Sequence, residues 1–105
     1  MVEVKGKKVA PKYTVGALEE YYELTGEDIL FDGGAVNTPL KRKSFLLVGI
    51  KYGTPKGAIK TLEEVDEMEA GEFFKVFTAC LDVFTKVFEV EDVGPSEEKE
   101  TVKKN

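Results

Sequence analysis

Residues 72–90 read EFFKVFTACLDVFTKVFEV. Phe73, Phe77, Cys80, Phe84 and Val87 are spaced 4, 3, 4 and 3. Phe74, Leu81 and Phe88 form a second row and Val76, Val83 and Val90 a third, each with its members seven apart. At roughly 100° per residue these rows merge into an apolar helix face about 200° wide. Lys75, Thr78, Asp82, Lys86 and Glu89 occupy the remaining arc. A face of that width is more than a small bundle needs. The spacing therefore predicts a helix that is either the centre of the fold or a surface for another chain.

The rest of the composition narrows the classes of function. A chain of 105 residues supports one domain with one core. Its 42% hydrophobic and 33% charged residues fit a folded globular protein rather than a disordered one. The longest apolar stretch, Phe45 to Ile50, is far short of the ~20 residues that span a bilayer, and the N-terminus has no secretory pattern. The expected location is the cytoplasm. There is no histidine, which removes the commonest general base and transition-metal ligand, and the lone Cys80 excludes a disulfide framework and a zinc site. On the apolar face Cys80 reads as a small buried hydrophobe. The net charge of −5 opposes nonspecific binding to nucleic acid.

Working back towards the N-terminus, Thr61-Leu62-Glu63-Glu64 has the form of a capping box opening a short acidic helix, with Ala70 and Gly71 separating it from the long one. Its carboxylates read as a solvated face, since nothing raises a pKa there. Residues 52–57, YGTPKG, form a turn and lack the order of a phosphate loop. A nearly all-apolar helix is expected from about Leu40 to Lys51, with Pro39 in its first turn. It starts on Lys41, Arg42 and Lys43, at the end where the helix dipole disfavours cations, so these three are candidates to meet an acidic surface on a partner or on this chain's own helices. Residues 32–39, DGGAVNTP, interrupt the pattern as a mobile loop with too few carboxylates for calcium.

Thr14 and Gly26 bracket a first helix over about Val15–Leu24, with Val15, Leu18, Tyr22 and Thr25 on its inner side, Tyr21 flanking them, and Glu19, Glu20 and Glu23 outward. Residues 27–31 suggest one further turn of helix. Val2 and Val4, Gly6 and Val9 outline a short hairpin. After Gly94-Pro95 the chain is polar and aperiodic. The expected fold is thus mainly α, a small bundle of about four helices with a short N-terminal β-hairpin. Residues 1–94 form one domain and residues 95–105 a disordered tail.

The order of these segments resembles the tail assembly chaperones of long-tailed bacteriophages and prophages. The resemblance is carried by Tyr13, Ala17, Leu18, Glu19, Glu20, Leu24, Thr25 and Gly26, then Leu47, Gly49, Ile50 and Lys51, then Thr61 to Val65. It covers roughly residues 3–90. The Gly33–Pro39 loop and the phenylalanine-rich last helix depart from the family pattern. The resemblance implies a small, mostly helical, non-enzymatic protein of the bacterial host cytoplasm. Such a protein keeps the tape-measure protein soluble and brings tail-tube subunits to it, with no cofactor, metal, nucleic acid or membrane. Apolar helical partners would be met by Phe74, Leu81 and Phe88 or by Val76, Val83 and Val90, with Lys41, Arg42 and Lys43 as a polar contribution, and the same surface predicts a homo-oligomer. The alternative is a small helical adaptor or regulator that dimerises through the last helix.

Overall fold

The computed structural model describes residues 1–30 and 36–93, with side chains through residue 87. Its elements run β1 (Val2–Val4), β2 (Lys7–Val9), α1 (Val15–Thr25), α2 (Pro39–Lys51), α3 (Leu62–Asp66) and α4 (Ala70–Val93). The expected tail over 95–105 and half of the expected loop, residues 32–35, lie outside the described residues. The described part is mainly helical, with one two-stranded antiparallel ribbon.

The expected hairpin is present. Val2 pairs with Val9 and Val4 with Lys7, leaving Lys5 and Gly6 as a two-residue connection. Both have left-handed backbone, φ 52° and 79°, as the tight turns that match strand twist require. Val4 and Val9 are fully buried, so the ribbon closes one side of the core rather than standing free.

The centre of the fold is α2. Its N-cap is Thr38, whose hydroxyl accepts from the Lys41 N–H at 3.2 Å, with Pro39 in the first turn. Every residue from Ser44 to Ile50 is buried. A helix apolar on all sides has to be wrapped by neighbours, and α1, α3 and α4 all pack on α2. The segment before α1 also crosses it closely. The Lys12 N–H donates to the Gly49 carbonyl at 3.0 Å, and the Tyr13 hydroxyl donates to the Phe45 carbonyl at 2.8 Å. The expectation that the last helix could be the central one is thereby corrected. The uninterrupted run Phe45–Ile50 demands burial on every side, whereas α4 keeps a polar arc.

Ser44 sits within that buried run, and its hydroxyl has no hydrogen-bond partner among the described residues. A buried polar atom left unpaired costs about 1–3 kcal/mol, and alanine is also the better helix former. Ser44→Ala is expected to raise stability by about 1 kcal/mol, seen as a Tm increase of about 4–8 °C.

The first helix forms where expected but is turned about its axis. Thr14 caps it, accepting from the Ala17 N–H at 3.1 Å, and Gly26 closes it in the left-handed region. The buried residues are Ala17 and Tyr21, while Val15 and Tyr22 face outward. Relative to the expected inner face this is a rotation of about 100°, one residue of a helix. Glu20 is drawn in by the same rotation. It accepts from Lys51 Nζ at 2.8 Å and Tyr52 Oη at 2.9 Å, fastening α1 to the C-terminal end of α2. These bonds raise the pKa of both donors. Of the expected further turn of helix, residues 27–30 are not helical and Phe31 lies outside the described residues; Ile29 is buried and Leu30 exposed.

The capping box of α3 is complete. Thr61 Oγ1 accepts from the Glu64 N–H at 3.2 Å, and Glu64 Oε1 accepts from the Thr61 and Lys60 N–H groups at 3.1 and 2.6 Å. Lys5 Nζ from the hairpin turn adds a bond to Glu64 Oε2 at 2.7 Å. Lys5 first, then the backbone N–H groups, hold the Glu64 carboxyl at about 2, below its ordinary 4.5. The stabilisation from this depressed pKa is present above about 4.5, where the unfolded chain is also ionised. It is lost as the pH falls towards 2. Glu64→Gln is therefore expected to flatten the fall of Tm across that window. Thermal melts of both proteins stepped down through pH 4.5 check this, and curves that fall in parallel would exclude it.

Ala70 and Gly71, expected to separate α3 from the last helix, are instead its first two residues.

Candidate functional site

The site best placed to receive another molecule is the apolar surface that the helices leave uncovered, to which α4 contributes Phe74 and Val87. Its inner seam packs on α2 and on β1. Val76 and Cys80, one turn apart, are fully buried, and Phe73, Phe77, Leu81 and Phe84 are partly buried against the core. Phe45 of α2 is the hub of the contact. Its ring stacks on Tyr13 at 4.8 Å and meets Phe84 and Phe77 edge-on at 5.3 and 5.8 Å. Cys80 is enclosed in the core, and burial pushes its thiol up to about 12. Burial likewise raises Tyr13 well above its ordinary value. A thiol kept protonated in the core is a packing residue, not a nucleophile.

The three expected rows of α4 divide differently from their sequence spacing. Of the row Phe74, Leu81 and Phe88, Phe74 is 69% exposed and Leu81 rests partly on the core. Of the row Val76, Val83 and Val90, Val76 is fully buried and Val83 half-buried. Val76 is therefore corrected from a surface anchor to a core residue, because its side chain lies on the arc facing α2 and β1. The side chains of Phe88 and Val90 lie outside the described residues.

A second source of uncovered apolar surface is the length of α4. Its 24 residues span about 36 Å, against about 20 Å for the 13 residues of α2. The inner seam consequently outruns its support. Phe84 still packs on the core, but Val87, three residues on and on the same side, is 40% exposed.

Of the basic triplet, Lys41 pairs with Glu27 at 2.7 Å and Lys43 with Asp66 of α3 at 2.8 Å. Two of the three cations thus meet acidic groups of this chain. Arg42 makes no ion pair among the described residues. It borders an apolar depression of about 290 Å3 with Pro39, Met68 and Phe73.

The outer face of α1 was not expected from the sequence to be free. Val15, Leu18, Glu19, Tyr22 and Glu23 recur at i, i+3, i+4, i+7 and i+8. With Asp28 and Leu30 from the turn beyond Gly26 they border a groove of about 470 Å3. The signal that could have revealed it is the alternative stripe Ala17, Tyr21 and Leu24. Its small first member lets α1 lie close on α2.

Among the described residues no group of three or more Cys, Asp or Glu side chains is placed to hold a metal ion, and no helix is long and apolar enough to cross a membrane. No known protein family, curated protein sequence or solved structure matches the chain.

Proposed function

We propose that this small helical bundle is a non-enzymatic tail assembly chaperone of a long-tailed phage or prophage. In this role it binds apolar helical segments of the tape-measure protein, keeps them soluble and helps recruit tail-tube subunits in the bacterial cytoplasm. The observation that carries the proposal is the apolar surface that α4 leaves uncovered at two places: Phe74 stands out at 69% exposure, and farther along the helix the inner seam runs out to Val87 beyond its support on α2. Aromatic and aliphatic anchors at helical spacing are what a helix-in-groove contact uses. The ordered resemblance of Tyr13–Gly26, Leu47–Lys51 and Thr61–Val65 to the tail-chaperone pattern supports the choice of partner. The same surface favours self-association, so the free protein is expected as a homo-oligomer.

Coexpression with a fragment of the tape-measure protein tests the reading. The expected result is a soluble fragment that copurifies with this chain and is lost on Phe74→Asp. A fragment recovered only from inclusion bodies would contradict it. A dimer held through α4 with no effect on the fragment would instead support a helical adaptor.

A further inference from the structure

We propose that the outer face of α1 is a second docking groove, built for a cationic amphipathic helix of another protein. It uses a different element from the α4 reading and stands or falls separately.

The groove has an apolar floor and an acidic rim. Val15, at 77% exposure, and Tyr22, at 55%, lie seven residues apart with Leu18 between them, and Leu30 closes the far side at 42%. Their spacing gives a stripe about 10 Å long, two turns of helix. Two turns of a partner helix presenting apolar side chains at i, i+3 or i+4 and i+7 match that stripe. Glu19 and Glu23 lie one turn apart beside it and make no ion pair among the described residues, and Asp28 adds a third carboxylate. The neighbouring Glu20 and Glu27 are each held by a lysine, Lys51 and Lys41. Glu19 and Glu23, the two of these carboxylates that form no ion pair among the described residues, thus border the groove.

This charge selects the occupant. Lys or Arg side chains one turn apart, flanking the apolar stripe of the partner, would sit against Glu19 and Glu23. A second copy pairing symmetrically through the same face would set these carboxylates against their own counterparts, which opposes a face-to-face homodimer.

A synthetic helix with leucines at i, i+3, i+4 and i+7 and lysines on its flanks is the probe, read by fluorescence anisotropy. Its twin carries glutamates in place of the lysines. The full-length chain is expected to bind the lysine peptide and not the twin, with affinity falling as salt is raised. Glu19→Lys with Glu23→Lys should weaken binding by about tenfold. Val15→Ser with Tyr22→Ser should weaken it at least as much, and Phe74→Asp should leave it unchanged. All four positions are exposed or unpaired, and unaltered thermal melts of the two double variants confirm that they fold. Equal binding of the two peptides, or equal binding by wild type and both double variants, would overturn the proposal. So would a self-associated wild type that both double variants return to monomer, which would give the groove to a second copy.

Discussion

Phe45→Ala is expected to be the most damaging single truncation in the chain, with a loss of about 4 kcal/mol. Phe45 is 1% exposed, and its ring touches three others, Tyr13, Phe77 and Phe84, drawn from the N-terminal segment and from two turns of α4. Removing it leaves a void at the point where three segments meet. The surrounding rings cannot collapse into the void without moving their backbones, so the cost combines lost transfer energy with a cavity term. For a domain of this size the Tm should fall by about 15–30 °C. Aromatic pairs contribute about 0.5–1.5 kcal/mol beyond buried area. Adding Phe84→Ala should therefore cost less than the two single losses summed, because the two rings share one contact. Calorimetric melts of the two single variants and the double variant measure both effects.

Gly49→Ala is also expected to destabilise the fold substantially, though it adds only a methyl group. A Cβ at residue 49 would lie 2.4 Å from Tyr13 Oη and 2.6 Å from its Cζ. The tyrosine cannot swing aside. Its hydroxyl is bonded to the Phe45 carbonyl, its ring stacks on Phe45, and Phe84 closes the other side at 5.3 Å. Relief has to come from separating the N-terminal segment from α2, which strains the Lys12 to Gly49 backbone bond as well. Overpacking of this kind costs about 1–3 kcal/mol, and here the upper end is expected despite the helix propensity gained from alanine. A chemical denaturation midpoint equal to or above that of wild type would show that Tyr13 yields.

What the sequence made legible follows from the range of the physics involved. Caps are local. Thr14, Gly26, Pro39 and the box Thr61–Glu64 act on backbone groups a few residues away, and each marks its helix end as expected. The hairpin turn at Gly6 is local in the same sense. Choosing which face turns inward is not local. Residues 15–25 carry two apolar stripes, and the one that wins contains Ala17, which permits close approach to α2. In α4 the apolar face is about 200° wide and holds three rows, so periodicity cannot select one. The buried pair Val76 and Cys80 is slimmer than the phenylalanines on either side, and slim side chains allow α4 to approach α2 and the ribbon. The close fit of Tyr13 over Gly49 joins residues 36 positions apart and leaves no trace in either neighbourhood. The candidate surfaces share this origin, since each is the stripe left over when packing took the other.

The division of α4 into a packing side and a docking side is most directly tested by comparing Phe74→Asp with Phe77→Asp, each by thermal melt and by light-scattering mass. Phe77 stacks on Phe73 and meets Phe45 edge-on, so a carboxylate there introduces an unpaired charge against the core and should unfold the chain. Phe74 is 69% exposed, so a carboxylate there should leave the melt within about 0.5 kcal/mol of wild type while reducing the mass of the assembly. Equal unfolding by the two variants would mean that the whole apolar girth of α4 is interior and would contradict the account.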